Sequence, residues 1–418
     1  MTSKERIMTA LNHREPDKLP VDFGGTNCSG ITASMLYKLR KAYGLPDRPV
    51  KVIHCLMMIG EIEEDLREKL DVDCVMIRPY TNSFGVKNDG WKPWTLFDGT
   101  PVLVPSGFNT NVAPDGGYYQ YPMGDLSIPP SGYMPKGGWY FDPLMRETPP
   151  FDDDNPCVKD NLEEFSILSD EALRYYQREA ESYRKNTDCA VVSFFGGTGL
   201  GDITQIPGPF LKYPKGIRDM EEWYISMASR QGFIKEIFDH QTQIAVKNLA
   251  LFKEAVGSNI DILYLCGTDF GAQTGPMCSV TTFSEVYLPY YKRMTNWIHE
   301  NTNWKVFKHC CGSIKPLIPK FIEAGFDIIN PVQSSANDMD AKSLKDEFGG
   351  SITFWGGGVD TQKTLPFGTP KEVFEQVTDH VRIYNKNGGY VFNAIHNVQP
   401  DVPVENFMAM MEALKQFR

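Results

Sequence analysis

A parallel (β/α)8 barrel of the TIM type is the fold class the sequence predicts, and three observations predict it. Eight short β-rich runs each end in polar or glycine residues, and helix-period segments fall between most of them. The 418 residues, read as a single domain over 1–418, suit one large barrel carrying an insertion. A composition of 41% hydrophobic and 23% charged residues can bury a large core and excludes wholesale disorder.

In chain order, the first run is 19–24 (LPVDFG), which closes on Asp22 and Gly24-Gly25, and the second is 73–79 (DCVMIRP), which closes on Arg78. From about 84 to 160 the rhythm breaks into a stretch rich in Gly, Pro, Tyr and Trp. Its pieces WTLFDGTPVLVP and GGYYQYPM, set around Asp-Gly turns, mark a β-hairpin-rich insertion after strand 2. Its aromatics are expected to pack against the barrel mouth, with a lid role as the functional alternative. The third run, 190–195 (AVVSFF), leads into Gly196-Gly197-Thr198-Gly199-Leu200-Gly201, whose spacing is not that of a dinucleotide loop. The fourth, 261–266 (DILYLC), delivers Asp269 and Gln273, and the fifth, 304–309 (WKVFKH), runs into His309-Cys310-Cys311-Gly312-Ser313. The sixth, 326–331 (FDIINP), is followed by Gln333; the seventh, 352–356 (ITFWG), by Gly356-Gly357-Gly358-Val359-Asp360; the eighth, 389–394 (GYVFNA), by His396. Helical periodicity covers 219–256, 281–301, 314–324, 340–347 and 370–386, the last opening after Thr369-Pro370 in cap-then-proline order.

Lys plus Arg number 42 against 53 Asp plus Glu, a formal charge of −11, and no basic block stands out to track a phosphate backbone, so nucleic acid is not an expected partner. No apolar run approaches the ~20 residues of a bilayer span. Lys4, Glu5, Arg6, Asn12 and His13 break the N-terminal apolar stretch, so a cytoplasmic address is expected. Nine cysteines, odd in number and irregularly spaced, read as reduced thiols. Asp269-Phe270-Gly271 lacks the companion motifs of a kinase, and no G-x-S-x-G elbow supports hydrolase chemistry.

The sharpest local signal is His309-Cys310-Cys311. Side chains alternate along an extended strand, so His309 and Cys311 should face one way and Cys310 the other. An imidazole and a thiolate so placed are half of a zinc site. With His396 at the end of strand 8 they make three ligands and leave a fourth position open, as a catalytic zinc requires; the alternative for His396 is a substrate-binding or loop-pinning histidine. Asp269 would orient a metal-bound histidine, move a proton or anchor substrate, unless it caps the following helix. Gln273 lies beside it at the mouth. Asp22, Arg78, Gln333 and Asp360 are the candidate substrate-binding residues, and Asp22, Asp269 and Asp360 would also serve a paired-carboxylate glycosidase if they shared a mouth.

Blocks spanning nearly the whole chain carry a further resemblance: KERIMTALNHREPDKLPVDFGG, TDFGAQTGPMCSVTTFSEVYLPYYKR, HCCGSIKPLIPKFIEAGFDIINPVQSSANDMDAKSLKDEFGG, ITFWGGGVDTQKTLPFGTPKEV and FNAIHNVQPDVPVENFMAM. The chain resembles the uroporphyrinogen decarboxylase superfamily, and more closely its cobamide-dependent methyltransferase-like branch. The decarboxylases of that superfamily grip a carboxylated tetrapyrrole with arginines of an N-terminal segment. The corresponding stretch here, Val21 to Gly30, contains none. The methyltransferases bind zinc through His-x-Cys and a later Cys; His309 and Cys311 match the first two positions, and His396 stands where the later Cys would be. The resemblance implies a zinc-dependent methyltransferase, demethylase direction included, moving methyl between a small O-, N- or S-methyl substrate or thiol and a corrinoid. Asp269 and Gln273 would orient the substrate. No D-x-H-x-x-G cobamide signature occurs, so the corrinoid is expected on a separate protein, and a homodimer is among the assemblies open to the chain. The alternative is a metal-free decarboxylase or lyase in which Asp269 and His396 do acid-base work.

Overall fold

The computed structural model describes residues 1–418. Seven parallel strands form one curled sheet, in the spatial order Tyr390–Val391, Thr353–Trp355, Ile328–Asn330, Lys305–His309, Ile262–Cys266, Ala190–Ser193 and Cys74–Ile77. These correspond to predicted strands two to eight. The first predicted strand forms no ladder and makes one parallel bridge, Val21 with Phe392. That segment nevertheless joins the two edges. Phe392 N–H donates to Pro20 O, Asp22 N–H to Phe392 O, and Asp73 N–H to Val21 O, each at 2.8 Å. The ring therefore closes through a stave only about three residues long, because Pro20 has no N–H to give and Gly24, at φ +86°, turns the chain away.

Strand alternation sorts the side chains. Cys74, Ala190, Val192, Ile262, Phe307, Ile328, Trp355 and Val391 meet inside the ring, with Ile7 and Leu11 of the N-terminal helix Ser3–Leu11 against them. Their neighbours Val191, Leu263, Val306, Ile329 and Phe354 belong instead to the large outer cluster shared with the helices. His309 continues the inward row that Phe307 begins, two residues on. Helices Gln231–Val256, Leu288–Asn301, Ile318–Glu323, Ala341–Phe348 and Pro370–Tyr384 lie in the five predicted helical stretches; the last has the expected capping box, Thr369 with Glu372. No helix is long and apolar enough to cross a membrane.

The inserted β-structure is larger than the sequence suggests. The Asp-Gly turns appear as read, with Gly99 at φ +82° and Gly116 at +86°. They join Lys92–Thr95 to Pro101–Val104 and Thr110–Val112 to Tyr118–Gln120. Pro101–Val104, however, pairs on its other edge in parallel with Val50–His54, which in turn pairs with Ile59–Gly60. The extra sheet thus recruits residues before strand 2, and a boundary at 84 is too late. The Gly- and Pro-containing stretch 44–49 marks where Val50–His54 begins, but a parallel partner about fifty residues away leaves no local trace. Many of the insertion's aromatics pack on one another, as Trp94 does on Phe108 and Tyr118, and Phe84 on Phe141.

Candidate functional site

His309 ends strand Lys305–His309, and Asn330 ends the next strand directly beside it in register. The Asn330 side-chain amide donates to Trp355 O at 2.8 Å, which fixes its oxygen toward His309 Nδ1 at 2.7 Å. Nδ1 is therefore the protonated nitrogen, and the Nε2 lone pair is free. Nε2 lies 3.3 Å from Cys311 Sγ and 3.8 Å from Asp269 Oδ1. The predicted alternation holds: Cys311 returns to the His309 side, while Cys310 is buried on the other and accepts from Phe270 N–H.

The loop carrying Cys311 is held from both sides. Asp269 Oδ1 accepts from Cys311 N–H at 2.6 Å, and Gln333 Oε1 accepts from Gly312 N–H at 2.8 Å. Gly312, at φ +87°, presses its backbone on Gly271, where an added Cβ would lie 2.3 Å from the Gly271 carbonyl. A methyl group there has to push the Asp269 and Cys311 loops apart. Gly312→Ala is expected to lower stability by about 2 kcal/mol or more, read as a shift of the urea midpoint without change of slope.

His396 reaches the same place from the final loop, its ring 5.4 Å from that of His309 at 72°. Asn397, the next residue, donates to Asn27 O at 2.5 Å, which ties this loop to the turn after the first stave. That turn delivers Cys28, which the sequence reading did not single out. Two overlapping donor groups result, each with its ligand atoms within 4.8 Å of one another: Cys28, His309 and His396, and Asp269, His309 and Cys311. His309 is common to both, whereas Cys311 and His396 fall in different groups. The three residues expected to form one set are thus not brought into a single group: Cys311 and His396 flank His309 from two sides.

Burial sets the protonation states. It lowers His309 and His396 to about 4 each, so both are neutral at pH 7, with Lys308 adding to the effect at His309 and His309 to that at His396. It raises the Cys28 thiol to about 12, and it raises the Cys311 thiol and the Asp269 carboxyl. Neutral imidazoles beside thiols are the protonation pattern from which a cation displaces protons.

These groups face a cavity of about 540 Å³ over the strand ends, lined by Cys28, Asp269, His309 and His396 and walled by aromatics such as Phe194 and Tyr264. Tyr80, Asn82 and the glycine loop 196–201 also line it, so that loop contributes to the cavity wall. One residue of the lining is a lysine or arginine, Arg218. Its guanidinium is forked on Glu164 at 3.0 Å twice and also donates to Lys215 O and Asp160 O, so its charge is already paired and four of its five N–H donors are taken.

The other expected site residues do not reach this cavity. Asp22 is fully buried, accepting from Gly25 N–H at 2.6 Å and Trp355 Nε1–H at 2.8 Å, and so secures the closing stave. Arg78 pairs with Glu61 at 3.4 Å and lines a separate cavity of about 310 Å³. Gln333 braces Gly312, and Asp360 accepts from Gln362 N–H within its own turn. Gln273 is exposed on the rim, 3.5 Å from Gln362. With Asp22 and Asp360 turned away, Asp269 has no partner from that trio for paired-carboxylate chemistry. Exit from a strand end marks the rim, but the turn that follows decides whether a side chain points inward or satisfies the backbone.

A curled parallel sheet whose strand ends converge on a cavity defines a TIM-barrel-like protein with its site where such barrels carry it. Residues 214–417 match the family described as Uroporphyrinogen decarboxylase (URO-D), a similarity that spans just under half of the chain. A methyltransferase from Methanosarcina mazei is similar in structure, with a TM-score of 0.55 at 14% identity over 100% of this chain and 99% of the other, a likeness of fold. No curated protein matches the sequence.

Proposed function

We propose that this chain is a zinc-dependent methyltransferase that moves a methyl group between a small O-, N- or S-methyl substrate, or a thiol, and a separate corrinoid protein. The observation that carries this reading is the orientation of His309. Asn330 pins its Nδ1, so that His309, itself on the wall of an aromatic cavity with His396 beside it, turns Nε2 toward the Cys311 sulfur. The His309–Cys311 pair fits the metal: on one tetrahedral zinc with bonds of about 2.3 Å to sulfur and 2.0 Å to nitrogen, the two donors stand roughly 3.6 Å apart, close to the 3.3 Å between Cys311 and His309, while His396 lies in the other donor group around His309. His309, Cys311 and His396 would hold it. A zinc ion there supplies Lewis-acid chemistry, stabilising a thiolate or a departing oxygen or nitrogen. The superfamily and the methyltransferase of like fold support the same class.

The chain's own residues do the rest. Asp269 and Gln333 hold the Cys311 loop from both sides, which fixes the sulfur relative to His309. Asp269 also presents a carboxyl to the cavity, where it can accept a hydrogen bond from substrate. Phe194, Tyr264 and their neighbours exclude water from the reacting atoms. Tetrapyrrole decarboxylation is disfavoured by charge, since a substrate with many carboxylates meets no free cation in this cavity.

The direct test mixes the purified chain with a corrinoid protein, reduced when a panel of methoxylated and methylamine compounds is added and methylated when thiols are added, and follows the cobalt spectrum. Conversion to methyl-cobalt, or its loss to a thiol, is the expected result; no change with any compound overturns the reading. Asn330→Ala is expected to weaken zinc binding about 10- to 100-fold in competition with a chelator, because the imidazole loses the partner that selects its tautomer.

A further inference from the structure

We infer that Cys28 is a ligand of the same metal, so that the turn after the first stave supplies a second sulfur to the site. This rests on the zinc reading above and goes beyond it. The Cys28 sulfur, a His309 nitrogen and a His396 nitrogen all lie within 4.8 Å of one another, and Cys28 lines the same cavity as both histidines. Cys311 approaches His309 from the other donor group, at 3.3 Å. Around His309 the chain therefore places two sulfurs and a second imidazole, four donors of the types zinc takes up.

The position of Cys28 is built. Thr26 N–H donates to Ser29 Oγ at 2.9 Å and Ser29 N–H to Thr26 Oγ1 at 3.0 Å, a reciprocal pair that closes a tight turn around Asn27 and Cys28. Thr26 and Ser29 are both buried. Asn397 then bonds Asn27 O and Gly30 O on the two sides of Cys28. The residue before Cys28 and the residue after His396 are thus hydrogen-bonded, and neither ligand can drift without the other. The sulfur's hydrogen-bond contact is Tyr264 OH at 3.6 Å, a weak contact for a buried thiol. In this arrangement the final loop can carry a histidine because the sulfur comes from the opposite end of the chain.

The test uses the full-length chain purified under reducing conditions and loaded with zinc or cobalt(II). X-ray absorption on the zinc form is expected to show two sulfurs at about 2.3 Å together with nitrogen or oxygen at about 2.0 Å. With cobalt(II), Cys28→Ser is expected to lose about half of the sulfur-to-cobalt charge-transfer intensity, and Cys311→Ser a similar share. Chelator competition should show zinc affinity reduced at least ~10-fold in Cys28→Ser, the loss that even outer partners of a ligand bring. One sulfur in the zinc shell, or a folded Cys28→Ser with unchanged charge-transfer band and affinity, overturns the assignment and leaves the zinc reading standing. Should the unaltered chain take up neither metal, the zinc reading itself falls. The absorption measurement on the unaltered chain decides the matter even if Cys28→Ser does not fold.

Discussion

His309→Ala should lose stoichiometric zinc and about three orders of magnitude of methyl transfer. His309 is the member common to both donor groups, so its removal takes a ligand from whichever three or four residues hold the ion. The loss of charge stabilisation at the reacting heteroatom is worth several kcal/mol, and about 4 kcal/mol corresponds to roughly 10³ in rate. Elemental analysis and single-turnover methylation of the corrinoid protein check the two parts separately. The substitution is not expected to unfold the chain, since Phe307, Trp355 and the rest of the inner layer remain packed beneath it. A variant that folds, binds no zinc and still transfers methyl at the original rate would remove the metal from the chemistry.

Asp73→Ala should destabilise the fold by about 3–5 kcal/mol, the largest structural effect expected here. Asp73 is fully buried at the start of strand Cys74–Ile77, beside the stave that closes the ring. One oxygen accepts from Arg6 Nη1 at 2.5 Å; the other accepts from Val21 N–H at 2.9 Å and Arg418 Nη1 at 2.6 Å. One carboxylate thus joins the N-terminal helix, the closing stave and the C-terminal segment. Without it, two guanidiniums and one backbone donor lose their buried acceptor. Arg6 keeps Asp17 and Arg418 keeps Asp71, both more exposed partners, which is why the lower part of the range is favoured. Equilibrium urea unfolding measures the change; a shift under 1 kcal/mol would mean that the short stave closes the ring without this clamp.

The two predictions draw on different parts of what could be read from residues alone. Pattern of period two told which way His309, Cys310 and Cys311 face, because alternation along a strand depends only on neighbours in the chain. The same local logic located seven of the strands, the two Asp-Gly turns and the helix opening at Thr369. His396 was legible as a residue just past a strand end. The division of labour among rim residues was not: Asp269 reaches the cavity, while Asp22, Gln333 and Asp360 serve backbone N–H groups and Gln273 stays on the outside.

The amino-acid order by itself determined the barrel rhythm, the inward imidazole and the absence of a basic clamp between Val21 and Gly30, all matters of local spacing and composition. Tertiary structure alone decided that Val50–His54 joins the inserted sheet, that a stave of about three residues closes the ring, and that Cys28 lies beside His309 and His396. Each of these depends on which distant segments meet when the sheet curls. Closure brings residue 21 beside residue 392, and with them two loops separated by nearly the whole chain; no periodicity in the sequence encodes that meeting.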